Sequence, residues 1–175
     1  QNTESWFFHV PGLKVVYPSN SYDAKGLLIS SIDDPDPVLY FEHKKLYRSV
    51  SGEVPVESYG VSLGKAKIVQ RGKDLSIITY GLGVHWALKY SKNSDYDIEI
   101  LDLRTLMPLD SESIFKTVNK TNRVLILHED NITGGVGAEI SSLISENCFG
   151  LSVLLMLADV ETIAFPNFKI RFLQK

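Results

Sequence analysis

Arg123-Val124-Leu125-Ile126-Leu127-His128-Glu129-Asp130-Asn131-Ile132-Thr133-Gly134-Gly135-Val136-Gly137-Ala138-Glu139-Ile140 decides the fold. Its first five residues hold an unbroken apolar run rather than an alternation. Such a strand is covered on both faces, as in a parallel sheet flanked by helices. The glycines then make a tight turn into a helix, expected over residues 138–148. Working outward, the same unit recurs. Strands are expected over 75–80, 98–103 and 151–157, and helices over 84–91 and 111–119, the second capped by Asp110. Residues 66–69 and 75–80 flank Gln70-Arg71-Gly72-Lys73-Asp74, a turn-like segment that predicts a hairpin opening this unit. The predicted class is α/β, a mostly parallel open sheet with helices on both faces.

Toward the N-terminus, Val15-Val16-Tyr17 predicts a short strand. Helical spacing follows over 22–32, with Ser21 as N-cap and Ala24, Leu27, Leu28 and Ser31 on one side. Asp33-Asp34-Pro35-Asp36-Pro37 ends that helix, because proline lacks a backbone donor and restricts the residue before it. A second strand is expected over 38–42, so residues 12–42 read as a strand–helix–strand crossover of a parallel sheet. Residues 47–64 sustain no period. The division expected is 1–48, the last part of one α/β domain; 49–64, a linker; and 65–175, a second α/β domain. Gln1-Asn2-Thr3-Glu4-Ser5-Trp6-Phe7-Phe8 has no methionine at its head and enters aromatic residues at once, which is expected of a domain interior.

The chain has 175 residues, 44% of them hydrophobic, enough for a sizeable core. Its 18 basic and 21 acidic residues are interspersed and leave a net charge of −3, so neither nucleic acid nor an anionic membrane is an expected partner. A single cysteine, Cys148, cannot form an internal bridge, which fits a reducing, cytoplasm-like compartment. No run of 18 apolar residues occurs.

Several motifs sit where α/β proteins place chemistry. Tyr80-Gly81-Leu82-Gly83-Val84-His85-Trp86 has two glycines of a nucleotide-binding fingerprint, but Trp86 stands at the third, so a plain tight turn is expected. Thr133 to Ile140 lacks the Lys and Ser/Thr of a phosphate loop, and its glycines are expected to serve turn geometry. His128-Glu129-Asp130, at a strand's carboxyl end, has no second histidine at metal spacing and is expected to be a satisfied polar cluster. His9 and His85 have no adjacent nucleophile, and no serine lies in a G-x-S-x-G elbow. Asp34 and Asp36, with Ser31 close by, present hard oxygens after a helix end, where a solvated turn and a cation site are equally open readings.

Taken together, Trp6-Phe7-Phe8-His9-Val10-Pro11-Gly12-Leu13-Lys14-Val15-Val16-Tyr17-Pro18, Asp23-Ala24-Lys25-Gly26-Leu27-Leu28, Asp34-Pro35-Asp36-Pro37-Val38 and Phe41-Glu42-His43-Lys44-Lys45-Leu46-Tyr47-Arg48 resemble one family. It comprises the β subunits of the thiamine-diphosphate-dependent decarboxylating component of 2-oxo acid dehydrogenase complexes, the branched-chain type above all. Ile100 to Asp110 and His128 to Ile140 are similar to a transketolase C-terminal domain. The resemblance implies a truncated thiamine-type pyrimidine-binding domain followed by that C-terminal domain. It implies oxidative decarboxylation of a branched-chain 2-oxo acid or pyruvate, with acyl transfer to a lipoyl group. Thiamine diphosphate and magnesium belong to the full enzyme and are not expected on this chain alone. No catalytic residue is carried over, since the activating glutamate and the catalytic histidine are expected upstream of residue 1. Ser31, Asp34 and Asp36 match positions where relatives bind a structural potassium ion, although Asp36 departs from a frequent asparagine. The implied partners are an α subunit or α half, a second β copy and the lipoyl acyltransferase core, in a bacterial cytoplasm or a mitochondrial matrix. Residues 159–175 depart from the family pattern. The rival readings are a stand-alone interaction module and a nucleotide-binding α/β domain.

Overall fold

Residues 14–16 pair with residues 38–40 and not with their own neighbours, which makes the first unit parallel. The computed structural model describes residues 3–151 and 153–157. Strand β1 (Lys14–Val16) leads through helix α2 (Ser21–Asp33) to β2 (Val38–Tyr40), with Lys14 opposite Val38. A one-turn helix, α1 (Ser5–Phe8), precedes β1, and another, α3 (Leu46–Ser49), follows β2. The N-cap of α2 is Asn20 rather than the expected Ser21. Asn20 is extended and its side chain accepts from the Asp23 amide at 2.9 Å, so Ser21 is already helical. The buried side of α2 is Asp23, Gly26 and Leu27, whereas Leu28, expected beside them, is exposed. Tertiary partners of Asp23 and Gly26 rotate the helix away from its apolar stripe.

The second sheet runs β3 (Lys67–Gln70), β5 (Ile98–Asp102), β4 (Leu75–Thr79), β7 (Arg123–Leu127), β8 (Val153–Leu157). Every pairing is parallel except that of β3 with β5. Helices α4 (Leu82–Ser91), α5 (Ser111–Thr121) and α6 (Val136–Asn147) link its parallel strands. Leu75, Ile77, Leu125 and Leu127 pack toward Ala87 of α4. Ile78, Val124 and Ile126 pack toward Ile114 and Val118 of α5 and Ile140 and Ile144 of α6. The strands alternate between two cores, which is why they read as continuous apolar runs. Asp110 caps α5 as expected, accepting from the Ser113 amide at 3.3 Å, and it also accepts from the Ala66 amide at 3.0 Å.

The hairpin is corrected by the strand order. β5 lies between β3 and β4, so the 71–74 segment crosses the start of β5 instead of turning back. Lys73 and Asp74 donate their amides to the Asp97 carbonyl at 3.0 and 2.9 Å, and Gly72 lies against the backbone of Ile98 and Glu99. A strand absent from the sequence reading, β6 (Thr105–Met107), leaves the second unit and pairs antiparallel with β1, giving a three-stranded sheet in the order β2-β1-β6. Residues 50–64 carry neither helix nor strand, yet they are fastened to α2. Lys25 Nζ donates to the carbonyls of Pro55, Val56 and Glu57, Val61 donates its amide to Gly26 O at 3.0 Å, and Tyr59 stacks on Tyr22 with centroids 4.5 Å apart. Residues 159–175, where the family pattern is broken, lie outside the described residues.

Candidate functional site

The chain leaves β4 for β5 on one side and later returns to place β7 on the other, so the topological switch lies between β4 and β7. Open α/β sheets bind ligands in the crevice at the carboxyl ends of such strands. Here those ends lead into Tyr80 and His128, side by side because Ile78 pairs with Ile126. Gly81, at φ +53°, lets the chain turn into α4, and a Cβ there would lie 2.6 Å from the Tyr17 ring. A Cβ on Gly83 would lie 2.1 Å from Thr79 Oγ1. Both glycines therefore serve close packing. Gly135 is equally confined, a Cβ there lying 2.1 Å from the Asn131 carbonyl and 3.0 Å from His128 Cε1.

Glu4, from the N-terminal segment, fills this crevice. It is fully buried, and its Oε1 accepts from the Tyr80 hydroxyl at 2.6 Å. Tyr17 stacks on Phe41 and tilts onto Tyr80, with centroids 5.7 and 5.3 Å apart, and walls the crevice on the β1 side. Among the described residues no hydrogen-bond partner reaches Glu4 Oε2, either ring nitrogen of His128 or Asp130 Oδ2, although all are buried. The polar cluster expected at His128-Glu129-Asp130 is thus only partly satisfied, with His128 and one Asp130 oxygen buried without partners among the described residues. Glu129 alone has a close side-chain partner, His43 Nε2 at 2.8 Å. Burial pushes the Glu4 carboxyl up, opposed by the Tyr80 hydrogen bond and reinforced by the charges of Asp130 and Glu129. Burial likewise pushes the His128 imidazole down, although Asp130 pulls the other way.

A second buried network joins the two sheets. Arg104 lies at φ +60° just before β6, and its Nε and Nη2 reach Asp23 Oδ2 at 3.1 Å and Oδ1 at 2.5 Å. Asp23 also accepts from Asn20 Nδ2 at 2.6 Å. Asp102 accepts from the Ser19 hydroxyl at 2.5 Å and from the Arg104 amide at 3.1 Å. Asp23 and Arg104 stand in family-like blocks, but nothing in the sequence announces a pair 81 positions apart.

Burial pushes Asp102 from 3.8 up to about 6, opposed by the Ser19 and Arg104 hydrogen bonds. Its folded value exceeds its unfolded one, so its contribution to stability is complete below about pH 4 and is lost as pH rises through about 6. The wild-type chain is expected to lose up to about 3 kcal/mol across that window through this group. Asp102→Asn should remove that share of the slope in urea unfolding at pH 4, 6 and 8. An unchanged slope would rule out Asp102 as its source.

Beside the network, a cavity of about 290 Å³ opens at the N-terminus of α2, lined by Pro18, Asn20, Ser21, His43, Leu46 and Tyr47 among others. It lies at the carboxyl ends of β1 and β2. The three residues expected to hold potassium are only partly brought together. Lys14 Nζ lies 2.7 and 2.8 Å from the two Asp34 carboxylate oxygens and 3.1 Å from Asp36 Oδ2. The Ser31 hydroxyl turns back to donate to the Leu27 carbonyl at 2.7 Å. In this arrangement the Lys14 ammonium stands between the two carboxylates and counters their charge. His85 Nε2 donates to the Ser19 carbonyl at 2.7 Å, and His9 is exposed.

Parallel strands, a carboxyl-end crevice and a second α/β unit laid against it define an open-sheet α/β protein of two units. The transketolase C-terminal domain matches residues 64–168 and the transketolase pyrimidine-binding domain matches residues 1–50, and the chain belongs to the transketolase C-terminal domain family. It is 46% identical over 151 residues to the 2-oxoisovalerate dehydrogenase subunit beta of Bacillus subtilis, covering 85% of this chain and 46% of that one. To the pyruvate dehydrogenase E1 component subunit beta of Staphylococcus aureus it is 47% identical over 148 residues, covering 83% of this chain and 46% of the relative. A solved structure of a split gene transketolase, an inactive beta4 tetramer, superposes with a TM-score of 0.71 at 20% identity over 88% of this chain and 50% of that one, which establishes the shared fold. The chain thus spans about half the length of the curated relatives it matches. Among the described residues no helix is long and apolar enough to cross a membrane.

Proposed function

We propose that this chain is part of the β subunit of a thiamine-diphosphate-dependent 2-oxo acid dehydrogenase. The activity is oxidative decarboxylation of a branched-chain 2-oxo acid or of pyruvate, with the acyl group passed to a lipoyl arm. The observation that carries the reading is the tandem of pyrimidine-binding and C-terminal matches, at 46% identity to a 2-oxoisovalerate dehydrogenase β subunit. The cofactor's diphosphate and magnesium are assigned to the rest of the enzyme, a reading supported by the described residues, among which no three of His, Cys, Asp and Glu gather as metal donors. No catalytic step is therefore assigned to this chain. Its work in the enzyme is assembly, contributing the junction of the two α/β units against which an α subunit and a second β copy pack, and offering a surface to the acyltransferase core.

Calorimetric titration separates this reading from a self-sufficient cofactor protein. The 175-residue chain with magnesium is expected to show no heat of thiamine diphosphate binding in the micromolar range, whereas it should co-elute with the α subunit of a bacterial 2-oxoisovalerate dehydrogenase. Micromolar cofactor binding by the chain alone, or no complex with the α subunit, would overturn the assignment.

A further inference from the structure

We propose that the crevice between β4 and β7 is a carboxyl-binding site that the chain fills from within, with Glu4 as its tethered ligand. Three observations carry this. The place is the one where open α/β sheets take ligands, at the carboxyl ends of the strands flanking the topological switch. The occupant comes from another element, the segment that leads into α1. Glu4 is 0% exposed, while Trp6 and Phe7 of the turn that follows are 71% and 36% exposed. Phe8 packs against the core and Phe7 tilts onto Phe41 6.2 Å away, so apolar contacts help to hold the turn, but Glu4 at its head is buried more completely than its aromatic rings and is fixed by its own hydrogen bond.

The third observation is the hydrogen-bond inventory. Among the described residues six buried side-chain atoms stand without hydrogen-bond partners; four of them belong to Glu4 (Oε2), Asp130 (Oδ2) and His128 (Nδ1 and Nε2), and the others are the hydroxyls of Thr79 and Thr105. With Glu4 as a carboxylic acid and His128 neutral, the first four comprise two donors and two acceptors. With Glu4 ionised and His128 still neutral they comprise one donor and three acceptors. Complete burial of the Glu4 carboxyl, which accepts one hydrogen bond from the Tyr80 hydroxyl, favours the protonated acid. The groups acting on Glu4 are Tyr17 after β1, Tyr80 after β4, and Glu129 and Asp130 after β7, with His128 beside Asp130 and His43 held on Glu129. The like charges of Asp130 and Glu129 oppose ionisation of Glu4. Because its folded pKa is raised, the contact contributes stability at low pH and loses it as pH rises.

The test uses the whole 175-residue chain. Glu4→Gln keeps a neutral donor and acceptor at every pH. It should match the wild type at pH 5 and have the higher urea midpoint at pH 8. Glu4→Ala leaves the crevice without its occupant, and propionate reproduces the lost side chain. At pH 5, about 100 mM propionate should raise the Tm of Glu4→Ala by about 3 °C or more over matched chloride, by the mass-action gain of a ligand that binds the folded state. The rise should be absent in Glu4→Gln and absent at pH 8. Equal propionate effects on both variants, or a Glu4→Gln chain weaker than wild type by the same amount at every pH, would overturn the proposal. Should Glu4→Ala fail to fold, the comparison of Glu4→Gln with wild type across pH decides alone.

Discussion

Arg104→Met is expected to remove about 3–5 kcal/mol of folding stability, the cost of leaving a buried charge without its partner. Asp23 is fully buried and receives both Nε and Nη2 of Arg104, a two-pronged, charge-assisted contact whose geometry lysine could not reproduce. Without the guanidinium, Asp23 keeps the Asn20 side chain but no countercharge within the pair. The consequence reaches beyond one ion pair. Asp23 lies in the first turn of α2 and Arg104 directly before β6, which pairs with β1, so the contact ties helix α2 to the strand arriving from the other unit. Urea unfolding should show the loss, and the double variant Arg104→Met with Asp23→Leu should regain part of it because no lone charge remains buried. A loss below about 1 kcal/mol would mean that the pair behaves as a surface salt bridge.

Legibility followed the physics of each contact. The parallel strands were readable because Val124-Leu125-Ile126-Leu127 faces two cores at once, and a strand buried twice has no alternation to disguise it. The cap of α5 was readable because Asp110 acts on its own helix three residues away. Interactions spanning the two units left no local trace. β6 is too short to carry a period of its own, and its partner β1 lies some 90 positions upstream. Ser21 and Asn20 are both good caps, and only the backbone angles choose Asn20. Glu4 carries no local signal, since an acidic residue before Trp6-Phe7-Phe8 looks like the solvated edge of an apolar turn. Its role exists only because Tyr80, 76 positions away, awaits it. The cation loop was the reverse case. Its carboxylates were legible, but the lysine that neutralises them comes from β1.

Gly72→Ala is the second large effect expected, about 3–4 kcal/mol by overpacking against atoms that cannot rotate away. A Cβ there would lie 2.2 Å from the Ile98 carbonyl carbon, 2.4 Å from the Glu99 amide nitrogen and 2.6 Å from the Asp97 carbonyl oxygen. All three are backbone atoms at the start of β5, itself hydrogen-bonded to strands on both sides. Gly134→Ala is the control. That glycine has a φ of +74° but nothing within 4 Å of a new Cβ, so its substitution should cost only about 1 kcal/mol of backbone strain. Urea midpoints of the two variants settle the comparison, and equal losses would mean that Gly72 is needed for its backbone angles rather than for space. The position also explains why a hairpin was expected here and not formed. In a hairpin, glycine in Gln70-Arg71-Gly72-Lys73-Asp74 would serve to reverse the chain. Here the segment runs across the first residues of β5, with Lys73 and Asp74 bonded to Asp97, and glycine is required because two backbones cross in contact. The same residue type in the same turn-like setting thus answers to a different constraint, and inserting β5 at that crossing is what places β4 at the switch point beside β7.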